Sequence, residues 1–239
     1  MPSIFVSAAS AIVLAASAHG AVTGFTWRLV DNTAGAPGAD GFAGAQWNAL
    51  DQYTFDLILH GDHGQRINGV NMGDANAPAA TPFALHTNMT VFNHPFGGNV
   101  RSAAFEPAPG FNAMRYDTFV ALGSVPAANI SFAGGVDLSG ANGVLRATWF
   151  TTENATLDAN GEMRILRVTV GVPIGMNPSG NGYFLGTTGL PGSPISSAEI
   201  GLPGGVLTTL VIPSGFVPPT PGAAALFGVV GLAGLRRRR

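Results

Sequence analysis

The sequence predicts an all-β fold built as a two-sheet antiparallel sandwich. Apolar residues between Val22 and Phe216 recur at every second position in short runs, which are bounded by Gly, Pro, Asn and Asp. No window of eleven residues in this region carries a convincing helical face. The chain of 239 residues also contains 34 Gly and 17 Pro, as expected for short strands joined by turns. We therefore expect a single sandwich domain over residues 22–216.

Nine segments of this domain are candidate strands. They are Thr23–Val30, Gln52–His60, Phe83–Phe92, Arg115–Leu122, Asn129–Phe132, Val144–Phe150, Met163–Val170, Gly182–Leu185 and Val206–Ile212. In the second segment the odd positions are large and apolar while Thr54 and Asp56 alternate with them, which predicts one buried face. Residues 171–204 are rich in Gly, Pro, Ser and Thr and are expected to form long loops.

The N-terminus has the pattern of a secretory signal over residues 1–18. An apolar run from Ile4 to Ala16 is interrupted only by Ser7 and Ser10 and leads into Ala16-Ser17-Ala18, the small-x-small pattern that signal peptidase requires. We expect an N-terminal signal helix cleaved after Ala18, with cleavage after Gly20 as the second choice. The alternative, a buried core helix, would show a polar face that this run lacks.

The C-terminus combines a Pro-rich linker at 217–222, an uncharged run at 223–235 and four terminal Arg residues. Thirteen helical residues measure about 20 Å, which is shorter than the hydrocarbon core of about 30 Å. The run is therefore expected to be a short hydrophobic helix that anchors the chain transiently or marginally. The Arg cluster would hold its own end in the cytoplasm and leave the domain outside.

The order of these C-terminal features resembles the PEP-CTERM sorting signal of bacterial surface proteins. The residues that carry the resemblance are Pro219, Thr220, Pro221 and Gly222, followed by the apolar run and by Arg236, Arg237, Arg238 and Arg239. Thr220 stands where the family motif has Glu. The resemblance implies processing by an exosortase-like enzyme at the cell surface, and a plain tail anchor is the alternative.

Three segments of the domain are similar to segments that recur in secreted sandwich domains of bacterial surface proteins. They are Thr26–Asn32, Arg115–Val120 and Ile165–Val170, the last of which is similar to a closing strand of cohesin-like domains. The similarity favours a binding or structural module. For the sandwich as a whole we expect a jelly-roll or an immunoglobulin/cohesin-like topology.

Composition excludes several classes of function. The chain contains no Cys, which excludes a disulfide scaffold, a thiolate metal site and a cysteine nucleophile. All 11 basic residues are Arg, and residues 19–219 hold seven of them against 13 acids, so we expect no nucleic-acid partner. Without Lys there is no phosphate-binding loop of the Gly-Lys-Ser/Thr type. The four Glu residues are predicted to lie beside turns, which gives no support for a glycosidase.

The densest polar cluster is a candidate metal site. It comprises His60, Asp62, His63 and Asp74, and imidazole together with carboxylate suits a transition metal in a metal-dependent hydrolase. Asp62, Asn68, Asn71, Asp74 and Asn76 would instead suit Ca²⁺. A polar turn after the strand that ends at His60 explains the same residues without any metal, and we expect no cofactor.

Three tryptophans, Trp27, Trp47 and Trp149, are candidates for stacking on sugar rings, although each would more often fill a sandwich core. Taken together, these features predict an exported, surface-sorted, non-catalytic protein that contributes to the extracellular matrix by self-association or by binding polysaccharide. The alternatives are a carbohydrate-binding module and a secreted metal-dependent hydrolase. The predicted partners are signal peptidase, an exosortase-like enzyme and extracellular polysaccharide.

Overall fold

The computed structural model describes residues 21–30, 45–80, 82–104, 106–176, 178, 181–189 and 191–215. Within these residues the chain is mainly β-strand, with short 3₁₀ helices at Ala45–Ala49, Asn112–Tyr116, Ala127–Asn129 and Pro203–Gly205. The strands are β1 Val22–Val30, β2 Leu50–Gly61, β3 Arg66–Asn71, β4 Leu85–His86, β5 Thr90–Val91, β6 Phe119–Val120, β7 Ser131–Phe132, β8 Val144–Leu145, β9 Thr148–Thr156, β10 Glu162–Pro173, β11 Ser197–Gly201 and β12 Leu207–Val211. The predicted all-β class is confirmed.

The strands form two larger antiparallel sheets. In the first sheet the order is β1-β2-β10-β5, and β6 also pairs with β10. In the second sheet the order is β12-β11-β3-β9-β7, while β4 and β8 form a separate pair. Both larger sheets mix strands from distant parts of the chain, so local sequence alone does not set either order.

One hydrophobic core joins the two larger sheets. Leu57 and Val168 of the first sheet belong to the same buried cluster as Ile67, Trp149 and Ile200 of the second. Burial of this apolar surface is the main favourable term in folding, and it makes the arrangement β-sandwich-like. Among the described residues, no helix is long and apolar enough to span a membrane.

Two strands of the second sheet lie where turns or loops were predicted. β3 contains Asn68, Gly69 and Asn71, which are typical turn residues. A side chain at position 69 would place its Cβ 2.7 Å from the Trp149 carbonyl oxygen, so close packing against β9 requires this glycine. β11 lies within the predicted loop region 171–204, and its Ala198 and Ile200 are fully buried.

Three predicted strands are largely wrong in extent. The segment Arg115–Leu122 contributes only β6, because the preceding residues form a 3₁₀ helix. Phe83–Phe92 is divided into β4 and β5 around Thr87, whose hydroxyl donates to the Phe184 carbonyl and accepts from the Met89 amide. Gly182–Leu185 contributes no strand and makes a single bridge at Leu185.

The prediction that β2 buries one face is also wrong, since both of its faces are buried. Leu57 and Leu59 face the core, but Thr54, Asp56 and Ile58 on the opposite face are only 0%, 8% and 2% exposed. Over Thr54 and Asp56 the covering residues come from Asn112–Thr118, which we call the cover. The side chains of β10 bond to the backbone of the cover at Arg115 and Tyr116.

The predictions for the chain termini concern residues that the structure does not describe. These are the signal helix at 1–18 with Ala18, the linker at 217–222, and the hydrophobic helix and Arg tail at 223–239. They stay predictions from sequence.

Candidate functional site

The candidate site lies on the face of the first sheet that points away from the core, which we call the outer face. Its side chains are Thr26 and Arg28 from β1, Thr54, Asp56, Ile58 and His60 from β2, and Glu162, Arg164, Arg167 and Thr169 from β10. Ion pairs and hydrogen bonds connect these groups across the three strands. The outer face is thus an ionic and polar layer on a sheet whose other face is apolar.

A bulge in β10 brings two arginines onto the outer face. Residues three apart in a regular strand point to opposite faces, but the pairing register with β2 shifts between Arg164 and Leu166. The extra residue, Ile165, is fully buried in the core. As a result Arg164 pairs opposite Ile58 and Arg167 opposite Asp56, and both guanidinium groups reach the same carboxylate.

One half of the outer face is closed by the cover. The Arg167 guanidinium donates from Nε and Nη2 to the two Asp56 carboxylate oxygens at 2.7 and 2.8 Å. Arg167 also donates from Nη1 to the Arg115 carbonyl at 2.7 Å. Both side chains of the ion pair are only 11% exposed. A bidentate pair of this kind combines strong hydrogen bonds with fixed geometry, so it fastens the cover to the sheet.

The other half of the outer face is open to solvent. Arg28 donates to Glu162 at 2.6 Å, and this hydrogen bond raises the pKa of Arg28 above its ordinary value. The His60 Nε2 and Thr26 Oγ1 atoms lie 2.6 Å apart, and His60 Nδ1 lies 3.9 Å from Glu162. The Arg28 side chain is 57% exposed, so these groups can exchange water for a ligand.

The open half forms one side of a groove of about 390 Å³. The groove is lined by Arg28, Asp56, Ile58, Gly123, Ser124, Thr156, Asp158, Glu162, Met163 and Arg164. A second pocket of about 260 Å³ adjoins it, and Gly123, Ser124 and Arg164 line both cavities. The turn at Gly123 has a φ of +59° and donates its amide to the Arg164 carbonyl at 3.0 Å. Gly123, Ser124 and Arg164 therefore form the wall that the two cavities share.

Arg164 is less well compensated than the other charges of this layer. Its Nη1 lies 3.6 Å from an Asp56 oxygen that already accepts a hydrogen bond from Arg167. Burial lowers the pKa of Arg164, the Asp56 carboxylate opposes this shift, and the positive charges of Arg167 and Arg101 add to it. Its Nε is buried and has no hydrogen-bond partner among the residues that the structure describes. The guanidinium is thus crowded by like charges at the edge of an accessible groove.

The groove has the chemistry of a binding surface for a polar ligand. Guanidinium donors, carboxylate acceptors and the Ser124 and Thr156 hydroxyls surround the apolar side chain of Ile58. Pairing fixes several of these groups before any ligand arrives, which reduces the ordering cost of binding. A polyhydroxylated ligand could exchange many hydrogen bonds with such a surface.

The predicted metal cluster is divided among separate structural roles. Asp62 accepts a hydrogen bond from the Ala21 amide at 2.8 Å, and the His63 ring bonds to the Asp158 carbonyl at 2.8 Å. His60 joins the open half of the outer face. In the described residues no group of three or more His, Asp or Glu side chains is placed to hold a metal ion.

The oxygen ligands predicted for Ca²⁺ have partners within the protein. Asp74 accepts from the Asn76 and Gly135 amides at 2.8 and 2.6 Å, and these backbone hydrogen bonds lower its pKa. Asn71 accepts from the Gly73 amide and the Thr148 hydroxyl, and Asn68 donates to the Leu202 carbonyl. These contacts are those of side chains that order turns and strand ends.

The three tryptophans are packed into the domain to different degrees. Trp149 is fully buried and donates to the Ala121 carbonyl. Trp47 is 3% exposed and packs edge-on against Phe92. Trp27 is half-buried and donates to the Pro213 carbonyl. A stacking platform needs an exposed ring face, so the burial of Trp47 and Trp149 favours their alternative role in the core.

The cover itself contains a second buried acid, Asp117. Asp117 accepts from the His94 and Thr118 amides at 2.7 and 2.9 Å. Burial raises its pKa to about 7. A Cβ at Gly97 would lie 1.8 Å from one of the Asp117 carboxylate oxygens. The carboxyl group therefore orders the loop at 94–98 against the cover.

Comparison of the chain with family models, with curated proteins and with solved structures finds no match. The assignment of this site therefore rests on its geometry and chemistry.

Sequence reasoning missed the groove, although one signal was present. Arg28 and Asp56 occupy alternating polar positions within predicted strands, which placed them on faces opposite the core. The Glu residues, however, were predicted to lie beside turns, whereas Glu153 and Glu199 lie within β9 and β11 and Glu162 begins β10. Neither the pairing of β1 and β10 with β2 nor the bulge at Ile165 can be predicted from the spacing of residues.

Proposed function

We propose that this protein is exported, sorted to the cell surface and acts there without catalysis as a polysaccharide-binding component of the extracellular matrix. The observation that supports sorting is the C-terminal order of Pro219-Thr220-Pro221-Gly222, an uncharged run and four Arg residues. The observation that supports binding is the open groove on the outer face of the first sheet. The N-terminal signal and the C-terminal sorting signal would direct the domain to the cell surface, and the groove would bind the matrix polysaccharide.

The groove favours binding over catalysis because its charged groups are paired with one another. Glu162 is ion-paired with Arg28, and Asp56 with Arg167. A carboxylate that acts as general acid or base must lie within hydrogen-bond reach of a proton on the substrate, whereas these carboxylates already accept hydrogen bonds from guanidinium groups. Paired charges are suited to presenting fixed donors and acceptors to a ligand.

The mass of the native protein tests export and sorting. Intact-mass analysis of the protein extracted from its own cells should give a form that starts near His19 or Ala21 and ends between Pro219 and Gly222. A mass that retains residues 223–239 would contradict sorting and indicate a membrane anchor. A mass that retains residues 1–18 would contradict export through the signal.

Affinity electrophoresis through gels containing matrix polysaccharide tests the binding function. The full-length chain, purified in mild detergent, should be retarded by the polysaccharide. Ser124→Trp places a large side chain on the wall of the groove and should abolish the retardation. Thr209→Trp is the matched control, because Thr209 is exposed on β12 of the second sheet. Equal retardation of both variants would overturn the assignment of the groove.

A further inference from the structure

We infer that Arg164 is the point at which the groove binds a carboxylate group of an acidic sugar unit. This inference rests on the proposed binding function of the groove and adds the chemical class of its ligand. It is carried by the surroundings of Arg164, which combine two neighbouring guanidinium groups, access to solvent and a cavity on each side.

The carboxylates near Arg164 are hydrogen-bonded to neighbouring arginines. Arg101 holds Glu106 through two hydrogen bonds of 2.8 and 2.7 Å. Arg167 occupies both oxygens of Asp56. Both acids thus bind other guanidinium groups, and among the described residues the ion pair of Arg164 is the longer 3.6 Å contact with Asp56. A further anion would offset the mutual repulsion of the three arginines.

Access distinguishes Arg164 from Arg167, which shares its carboxylate partner. The Arg164 side chain is 25% exposed, whereas that of Arg167 is 11% exposed. Both guanidinium groups also lie near the Phe119 ring, with Cζ atoms 5.6 and 5.5 Å from its centroid. The ring and the bulge therefore hold Arg164 in a fixed position, with its exposed part at the wall of the groove.

The shape of the site suits a sugar acid better than a small inorganic anion. The groove beside Arg164 continues to Arg28, Thr156 and Glu162, which can bond to sugar hydroxyls. A planar guanidinium matches the geometry of a carboxylate. A carboxylate at Arg164 with its ring in the groove would thus use both the charge and the surrounding hydrogen-bonding groups.

The test compares two forms of one probe, the polysaccharide of the native matrix before and after chemical reduction of its carboxyl groups. Biolayer interferometry with the full-length chain should show strong binding to the untreated polymer and much weaker binding to the reduced polymer. Arg164→Gln should weaken binding to the untreated polymer roughly ten- to hundredfold, as expected for loss of a charge-assisted hydrogen bond. Its affinity for the reduced polymer should not change.

Arg146→Gln is the matched control for this substitution. Arg146 is also half-buried, and within the described part of the chain its Nε also lacks a hydrogen-bond partner. It lines neither of the two cavities around Arg164. This variant should bind as the unmodified chain does. If both Gln variants lost the same affinity, a general effect of charge would explain the loss and the inference would be overturned.

A second pair of variants keeps the test valid if Arg164→Gln does not fold. Ser124 is exposed on the shared wall, so Ser124→Asp places a competing carboxylate near Arg164, while Ser124→Asn has nearly the same size without the charge. The Asp variant should lose affinity for the untreated polymer, and the Asn variant should keep it. Equal binding by the two variants would contradict a carboxylate site.

The outcomes separate this inference from the function on which it rests. Equal binding of the untreated and reduced polymers overturns the carboxylate site and leaves a groove for neutral glycan. Binding of neither polymer overturns the proposed function itself. Free galacturonate should displace the polymer, whereas sodium sulfate at matched ionic strength should not. Equal displacement by sulfate would indicate a general anion site and contradict recognition of a sugar acid.

Discussion

The two halves of the outer face contain the same kinds of charged residue in different environments. In the covered half the Asp56–Arg167 pair is 11% exposed on each side, whereas in the open half the Arg28–Glu162 pair is 57% and 24% exposed. Removing one partner of a buried pair leaves an uncompensated charge, but an exposed pair is readily replaced by water. The comparison indicates that the covered half maintains the fold and that the open half is available to a ligand.

The largest expected effect is on the covered half. Asp56→Ala leaves Arg167 buried without its carboxylate and increases the repulsion between Arg167 and Arg164. We expect a loss of about 3–5 kcal/mol in the free energy of unfolding, measured by urea denaturation. A loss below 1 kcal/mol would contradict the structural role of the covered half.

The next effect is a dependence of stability on pH through Asp117. Burial raises the pKa of Asp117 from 3.8 to about 7, so the folded state binds its proton more tightly than the unfolded state does. The resulting stabilisation is complete below pH 4 and is lost as the pH rises through 7. At about 1.4 kcal/mol for each pKa unit, it amounts to about 4 kcal/mol.

Asp117→Asn isolates this contribution, because the difference between the variant and the unmodified chain removes the effect of other titrating groups. Among those, His86 acts in the opposite direction, since burial lowers its pKa and stability through it falls as the pH decreases. Urea denaturation between pH 4 and 8 should show a steeper loss with rising pH in the unmodified chain than in the variant. Parallel profiles would contradict a protonated Asp117 in the folded state.

A smaller effect is expected from the hydroxyl group that joins the sheet to the cover. Thr169 donates to the Tyr116 carbonyl and bonds to the Thr54 hydroxyl at 2.7 Å. Thr169→Val keeps the shape and leaves these buried groups without a partner, so thermal unfolding should report a loss of about 1–3 kcal/mol. Thr209→Val on exposed β12 is the control and should be neutral.

The smallest effect is expected in the open half. Glu162→Gln removes an ion pair with an exposed guanidinium, and such pairs contribute only about 0.2–1 kcal/mol because solvent screens them. The substitution should therefore leave the urea midpoint almost unchanged. A loss of stability as large as that of Asp56→Ala would remove the distinction between the two halves.

The sequence predicts the fold class and much of the first sheet, because long strands such as β2 and β10 have strong apolar patterns. It does not predict β3, where Gly69 is required by close packing against Trp149 and not by a turn. The groove cannot be predicted from the alternation of apolar residues either, because it depends on long-range strand pairing and on the bulge at Ile165. In a regular strand, where side chains alternate between the two faces, Arg164 and Arg167 would lie on opposite faces.

Hydrogen–deuterium exchange of the full-length chain, with and without the untreated matrix polysaccharide, shows where on the domain the polymer binds. The open half of the outer face should bind the polymer, so exchange should slow in peptides covering residues 123–127 and 156–164. The exchange of β12 at residues 207–211 should not change. Protection confined to the second sheet, or no protection anywhere, would contradict binding of the polymer at the open half of the outer face.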